Sequence, residues 1–227
     1  MKVTYYGQSC VELEIDGTKV LLDPFISYNP LAKNINVADI MPDYIFLSHA
    51  HQDHVADLEE IQKQSGATVA AIVETAAWVR KLGIPEDKVI EYNLGGTLDL
   101  PFGKVKMVYA AHSNSTVDGD YAGFPVGYVF FLKGKTIYFA GDTALTMEMK
   151  LLNRYHIDWA FLPIGGHYTM DMDDAILAAE FVNCKNVIGI HYDSFPPIKI
   201  NHEEASKKFA EADVYLALPK IGESIEI

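Results

Sequence analysis

Apolar residues in this chain fall in short runs rich in β-branched and aromatic side chains, with Gly, Asp, Asn and Pro between them. Val11 to Ile15 and Lys19 to Leu22 flank Asp16-Gly17, a dipeptide favoured where both central residues of a hairpin turn need positive φ. Residues 1–23 therefore read as antiparallel strands. Further strands are predicted at Tyr44–Leu47, Thr68–Val73, Val105–Ala110, Val126–Leu132, Thr136–Ala140, Trp159–Pro163, Asn186–Ile190 and Val214–Leu218, with Lys133-Gly134 turning one hairpin. Helical spacing with start and stop residues predicts Val55–Gln64 before Gly66, Thr75–Leu82 before Gly83, Thr146–Arg154, Met172–Val182 after Asp171, and His202–Ala210 after Asn201. Hairpins dominate the first part and strand–helix alternation grows toward the end. That mixture predicts sheet packed on sheet with helices outside, a layered α/β arrangement, rather than a doubly wound parallel fold. No internal repeat, low-complexity tract or linker interrupts the pattern, so residues 1–227 are expected to form a single domain.

Several apolar runs end in the same chemistry. Tyr44-Ile45-Phe46-Leu47 leads into Ser48-His49-Ala50-His51-Gln52-Asp53-His54. Val105 through Ala111 leads to His112, Ile137 through Ala140 to Gly141-Asp142, and Val187 through Ile190 to His191. Histidine and aspartate are costly to bury without partners, and loops at strand ends are where binding groups usually lie. His112 or His191 taken singly reads as a hydrogen-bonded structural histidine; together with the cluster they read as metal ligands. Within the cluster, His49 and His51 point to one side if the chain is still extended, while Asp53 and His54 begin the turn into a helix and point elsewhere. One loop can thus serve two ions. Imidazole and carboxylate without thiolate suit zinc, manganese or iron and do not choose among them. His167, after Gly165-Gly166, is a candidate substrate contact, whereas His156 at a helix end and His202 at a helix start read as structural or solvated. Asn114, Ser115, Tyr168, Thr169, Phe195 and Lys199 follow these loops and are candidates to line the pocket.

Composition narrows the function. The 49% hydrophobic and 22% charged content is that of a globular enzyme, and the formal charge of −13 without a basic stripe argues against a nucleic-acid partner. Gly95-Gly96 and Gly165-Gly166 lack the spacing and lysine of a phosphate loop. Cys10 and Cys184 form no Cys-x-x-Cys pair, which points to a reducing, cytoplasmic setting. The N-terminal residues show no apolar signal region, and no long uncharged apolar run suggests a membrane span. A homo-oligomer is compatible with all of this.

With these residues in view, the chain resembles the metallo-β-lactamase superfamily, whose mark is His-x-His-x-Asp-His followed by a later His, an Asp and a final His. Those positions are His49, His51, Asp53, His54, His112, Asp142 and His191. More narrowly it is similar to the small metal-dependent hydrolases of that superfamily, a sugar-phosphate (ascorbate-6-phosphate) lactonase among them. The strings that carry this likeness are Leu22-Asp23-Pro24-Phe25, Ala140-Gly141-Asp142-Thr143, Leu162-Pro163-Ile164-Gly165-Gly166 and Gly222-Glu223-Ser224. The resemblance implies a four-layer αββα sandwich. It also implies two divalent ions, zinc first and manganese or iron as alternatives, one held by His49, His51 and His112, the other by Asp53, His54 and His191, with Asp142 bridging. Two departures stand out: many relatives carry histidine at Gln8, and some carry asparagine at His167, which puts substrate choice in question. Asp142 separates the chain from the true β-lactamases, so antibiotic hydrolysis is not expected.

The chemistry so implied is hydrolysis, with Asp53 and Asp142 as the catalytic carboxylates and a hydroxide between the two metals attacking a small, anionic ester, lactone or phosphodiester. A nuclease of the tRNA-processing type is one alternative, though no basic RNA-gripping insertion is seen. An iron-dependent oxidoreductase on the same scaffold is another; that branch generally has Glu at the position of His51 and carries a flavin domain. A metal-stabilised binding protein without turnover is the third.

Overall fold

The computed structural model describes residues 1–227, and its backbone divides into two compact units. The first comprises Met1–Leu94, Ser113–Phe124 and Pro219–Ile227; the second comprises Gly95–His112 and Pro125–Leu218. No helix is long and apolar enough to cross a membrane.

The first unit is built on seven strands: β1 (Lys2–Gly7), β2 (Cys10–Ile15), β3 (Thr18–Leu22), β4 (Tyr44–Phe46), β5 (Thr68–Ile72), β6 (Val89–Tyr92) and, from the C-terminus, β14 (Ser224–Glu226). They lie in the order β14-β1-β2-β3-β4-β5-β6. The pairs from β14 to β3 are antiparallel; those from β3 to β6 are parallel. The Asp16-Gly17 turn between β2 and β3 has positive φ at both residues, as its sequence demands. Helix α1 (Gln52–Val55) and helix α2 (Leu58–Ser65) precede β5, and helix α3 (Val73–Lys81) lies against β5 and β6. Leu58, Ile61, Ala76 and Val79 bury one stripe of these helices in a cluster with Ile45, Leu47, Val69 and Ala71.

The second unit repeats that plan. Its strands are β7 (Thr97–Leu100), β8 (Gly103–Tyr109), β9 (Val126–Leu132), β10 (Lys135–Phe139), β11 (Trp159–Pro163), β12 (Asn186–Ile190) and β13 (Tyr215–Ala217), in the order β13-β12-β11-β10-β9-β8-β7. β7 to β10 form an antiparallel meander, and β10 to β13 are parallel. Helix α4 (Met172–Val182) lies against β11, and helix α5 (His202–Glu211) against β13. Asp171 and Asn201 cap these two helices as their sequence signals predict, each accepting from two backbone N–H groups.

The structure corrects three expectations about elements. The helix expected over Val55–Gln64 is two helices: Asp57 interrupts it, because its carboxylate turns back to accept the backbone N–H groups of Ile26 and Ser27. The segment expected as an α-helix over Thr146–Arg154 is a 3-10 helix, Met147–Tyr155, whose ends close through bonds three residues apart; Thr146 makes no side-chain cap. Strands β6, β7 and β14 were not visible in the apolar pattern. All three are sheet edges whose alternating or exposed positions carry Glu91, Asp99 and Glu226, so no buried face marks them.

Candidate metal centre

In the first unit, β4 runs through Leu47 and Ser48 into the histidine string. His51 is still extended, with φ −64° and ψ 147°, and α1 begins at the next residue. This is the extended-then-helical geometry that the two-residue spacing predicts. His49 Nε2 meets His51 Nδ1 at 2.9 Å, and the rings of His49 and His54 stand 4.1 Å apart. His49 and His54 are fully buried.

The protons can be counted. Asp23, immediately after β3, is buried and takes the Ser48 backbone N–H at 2.7 Å and the Ser48 hydroxyl at 2.6 Å. Having donated its single proton there, the Ser48 hydroxyl accepts from His49 Nδ1, 2.9 Å away. Asp23 also accepts from His54 Nδ1 at 2.8 Å. Both imidazoles thus carry their proton on Nδ1 and turn a basic Nε2 toward the site, the orientation that supporting carboxylates impose on metal-binding histidines. Burial pushes the Asp23 carboxyl above the usual carboxylate range, and the His54 and Ser48 hydrogen bonds pull it back. Asp53 Oδ2 lies 3.5 Å from His54 Nε2 and accepts from Gln8 Nε2 at 2.8 Å. The loop itself is held by Asn114, whose Oδ1 accepts from Ala50 N at 2.8 Å while its Nδ2 donates to the Ala122 carbonyl. Asn114, expected to line the pocket, is instead a buried pillar of the histidine loop.

In the second unit, His112 follows β8, Asp142 follows β10 and His191 follows β12. Asp142 is buried, with Oδ2 2.9 Å from His191 Nε2 and 3.6 Å from His112 Nε2. Thr143, next to Asp142, ties the segments that carry Asp142 and His112 to each other and to the loop from Gly165 to Met170: its hydroxyl accepts from Ala111 N and donates to the Ala144 carbonyl, and its own carbonyl accepts from Met170 N. His191 adopts φ 54°, a left-handed conformation that costs a non-glycine residue energy and recurs at functional sites. Gly165 passes so close that a Cβ there would lie 2.2 Å from the His191 carbonyl oxygen. Beyond it, His167 is exposed at φ 61° with its ring 4.5 Å from that of Tyr168, and it joins neither cluster. His156 caps the 3-10 helix in a left-handed conformation, and His202 pairs with Asp193 at the start of α5, the structural roles expected of both.

The seven ligand candidates fall into two clusters, His49, His51, Asp53 and His54 in the first unit and His112, Asp142 and His191 in the second. The donor set is chemically suited to divalent metal: imidazole nitrogens with fixed tautomers and carboxylate oxygens, packed closely enough that His49 and His54 offer nitrogens within 4.8 Å of each other and of Asp23. Asp23, Ser48 and Thr143 were not assigned roles from sequence, and Asn114 was assigned a different one. Asp23 and Thr143 lie inside the strings that carry the family likeness, which was the available signal.

The chain belongs to the metallo-β-lactamase superfamily: the model for the beta-lactamase superfamily domain matches residues 18–192. Within it, the chain is 48% identical over 229 residues to a UPF0173 metal-dependent hydrolase of Christiangramia forsetii, covering both proteins completely. It is 45% identical over 228 residues to another from Flavobacterium johnsoniae, again over the whole of both. Among solved structures, Igni18, a metallo hydrolase from the archaeon Ignicoccus hospitalis, is 34% identical with a TM-score of 0.89 over 100% of this chain and 98% of that one. The α/β fold expected from the sequence, of the metallo-β-lactamase kind, is thereby shown.

Proposed function

We propose that this protein is a metal-dependent hydrolase that uses two divalent ions to cleave a small ester, lactone or phosphodiester. His49, His51 and His112 would hold one ion and Asp53, His54 and His191 the other, with Asp142 shared. The observation that carries the reading is the proton accounting around Asp23 and Ser48, which leaves both buried imidazoles presenting Nε2 as a base. Divalent ions held there would supply Lewis-acid chemistry, lowering the pKa of a bound water toward neutrality and polarising the scissile group. Asp53, Asp142 and a hydroxide would together offset three of the four positive charges of two such ions, leaving a surplus of about one unit that favours a substrate whose oxygen becomes negative in the transition state. A compact anion senses that charge within a screening length of about 8 Å, whereas a polyanion also meets a surface of net charge −13. His167 and Tyr168, exposed on the loop that Gly165 ties to His191, are the groups we assign to substrate contact.

The test is elemental analysis of protein purified without added metal, then chelation, restoration with zinc, manganese or iron, and assay on an aryl phosphodiester and a lactone. The expected result is two ions per chain and hydrolysis that returns with metal. Asp142→Ala is expected to lower both metal content and rate, the rate by about a hundredfold or more. Unchanged metal content and rate in Asp142→Ala, or full activity without metal, overturns the proposal.

A further inference from the structure

We infer that Gln8 is a positioning residue for Asp53, and through it for the ion assigned to Asp53 and His54; this rests on the function proposed above. Gln8 lies at the tip of the hairpin joining β1 and β2, a place usually left to exposed Gly or Asn. Here the side chain is fully buried. Its Nε2 donates to Asp53 Oδ2 at 2.8 Å, while Oε1 is buried with no protein donor against it. Burying an amide so incompletely satisfied is unfavourable, and fold stability alone gives no reason for it.

The backbone repeats the message. Gln8 sits at φ 55°, a conformation that any non-glycine residue adopts at a cost, and Gly7 at φ 98°. The strain is held in place from three sides. The Tyr5 hydroxyl donates to the Gln8 carbonyl at 3.2 Å, the β1–β2 register shifts between Tyr5 and Gly7, and Gly7 packs so tightly on Asn29 that a Cβ would lie 2.4 Å from Asn29 Nδ2. A strained tip, clamped so that one amide N–H reaches a carboxylate 45 residues away, is expected where an anionic ligand must keep a fixed orientation. The amide cannot be reversed, because Oε1 would then face the carboxylate oxygen.

Three variants test this with zinc alone against a chelating competitor, read beside the melting temperature of the metal-free protein. Gln8→Met keeps the length and removes the donor; Gln8→Gly removes the side chain and relieves the left-handed backbone; Gln8→His keeps an N–H donor. Gln8→Met and Gln8→Gly are expected to weaken one of the two zinc ions by about ten- to a hundredfold and spare the other. Gln8→His is expected to recover most of that affinity, and metal-free Gln8→Gly to melt no lower than the parent. If both ions bind Gln8→Met and Gln8→Gly as they bind the parent, the positioning role is wrong while the two-ion reading stands. Equal weakening of both ions with a lower metal-free melting temperature marks a merely structural glutamine and also overturns it. If the parent chain itself binds fewer than two zinc ions, the proposed function falls first and this inference with it.

Discussion

At the scale of single residues, the site depends on groups that touch no substrate. Asp23 takes three hydrogen bonds, from Ser48 N, the Ser48 hydroxyl and His54 Nδ1, and thereby sets the tautomers of His54 directly and His49 through Ser48. Removing it frees both rings to turn and strands the buried Ser48 N–H. Asp23→Ala is therefore expected to weaken zinc binding by about ten- to a hundredfold. The metal-free protein is expected to lose about 1–3 kcal/mol for the buried donor left unsatisfied, measured by urea unfolding. Wild-type zinc affinity in that variant would show that the rings are oriented by something else. Sequence spacing could place His49 and His51 together, because two residues of extended chain share a side. It could not find Asp23, because 25 residues separate it from Ser48 and 31 from His54, and nothing periodic links them.

At the scale of elements, each ligand candidate lies on a segment that follows the C-terminal end of a strand, with Asp53 and His54 carried on the short helix α1 and the others on loops that can aim a side chain. The loops are then locked by close approach. The one from Gly165 to Met170 is held at both ends, by Gly165 against the His191 carbonyl and by Met170 N on the Thr143 carbonyl. Gly165→Ala is expected to push the His191 backbone aside, because a Cβ 2.2 Å from an oxygen is not tolerated. The expected outcome is a stability loss of about 1–3 kcal/mol in urea together with reduced metal content, as overpacking against fixed backbone does. A variant with unaltered stability and full metal would show that the loop yields. The interior strands and the capped helices α4 and α5 were legible because a buried face or a cap residue leaves a local signature. The edge strands β6, β7 and β14 were not, since one-sided pairing requires no apolar pattern, although the edge strand β13 fell within the predicted Val214–Leu218. The break at Asp57 was hidden because its cause is a long-range bond to Ile26 and Ser27 that overrides helical spacing.

At the scale of the molecule, the two units share one plan, an antiparallel meander leading into parallel strands, although the sequence shows no repeat. The likeness extends to the site: Asp23 follows β3 and Asp142 follows β10, the equivalent strand of each sheet. One carboxylate orients imidazoles and the other lies among the ligand candidates. Because the proposed ions would bind the folded chain and not the unfolded one, zinc is expected to raise the melting temperature in a concentration-dependent way. The gain is about 2.7 kcal/mol at a hundred times the dissociation constant, followed by calorimetry with and without chelator. Identical melting curves at all zinc concentrations would remove the thermodynamic basis for two ions.

The amino-acid sequence by itself determined the kinds of ligand, the order in which they occur, the extended-to-helical turn at His51 and the membership of the family. All of these rest on local backbone geometry or on motif spacing. Only the tertiary structure decided which buried groups are hydrogen-bonded to the ligand candidates or to the segments that carry them: Asp23, Ser48, Asn114, Thr143 and Gln8. Their partners are hydrogen-bonded across tens of residues, and such bonds are chosen by where folded strands end, which no local pattern of side chains encodes.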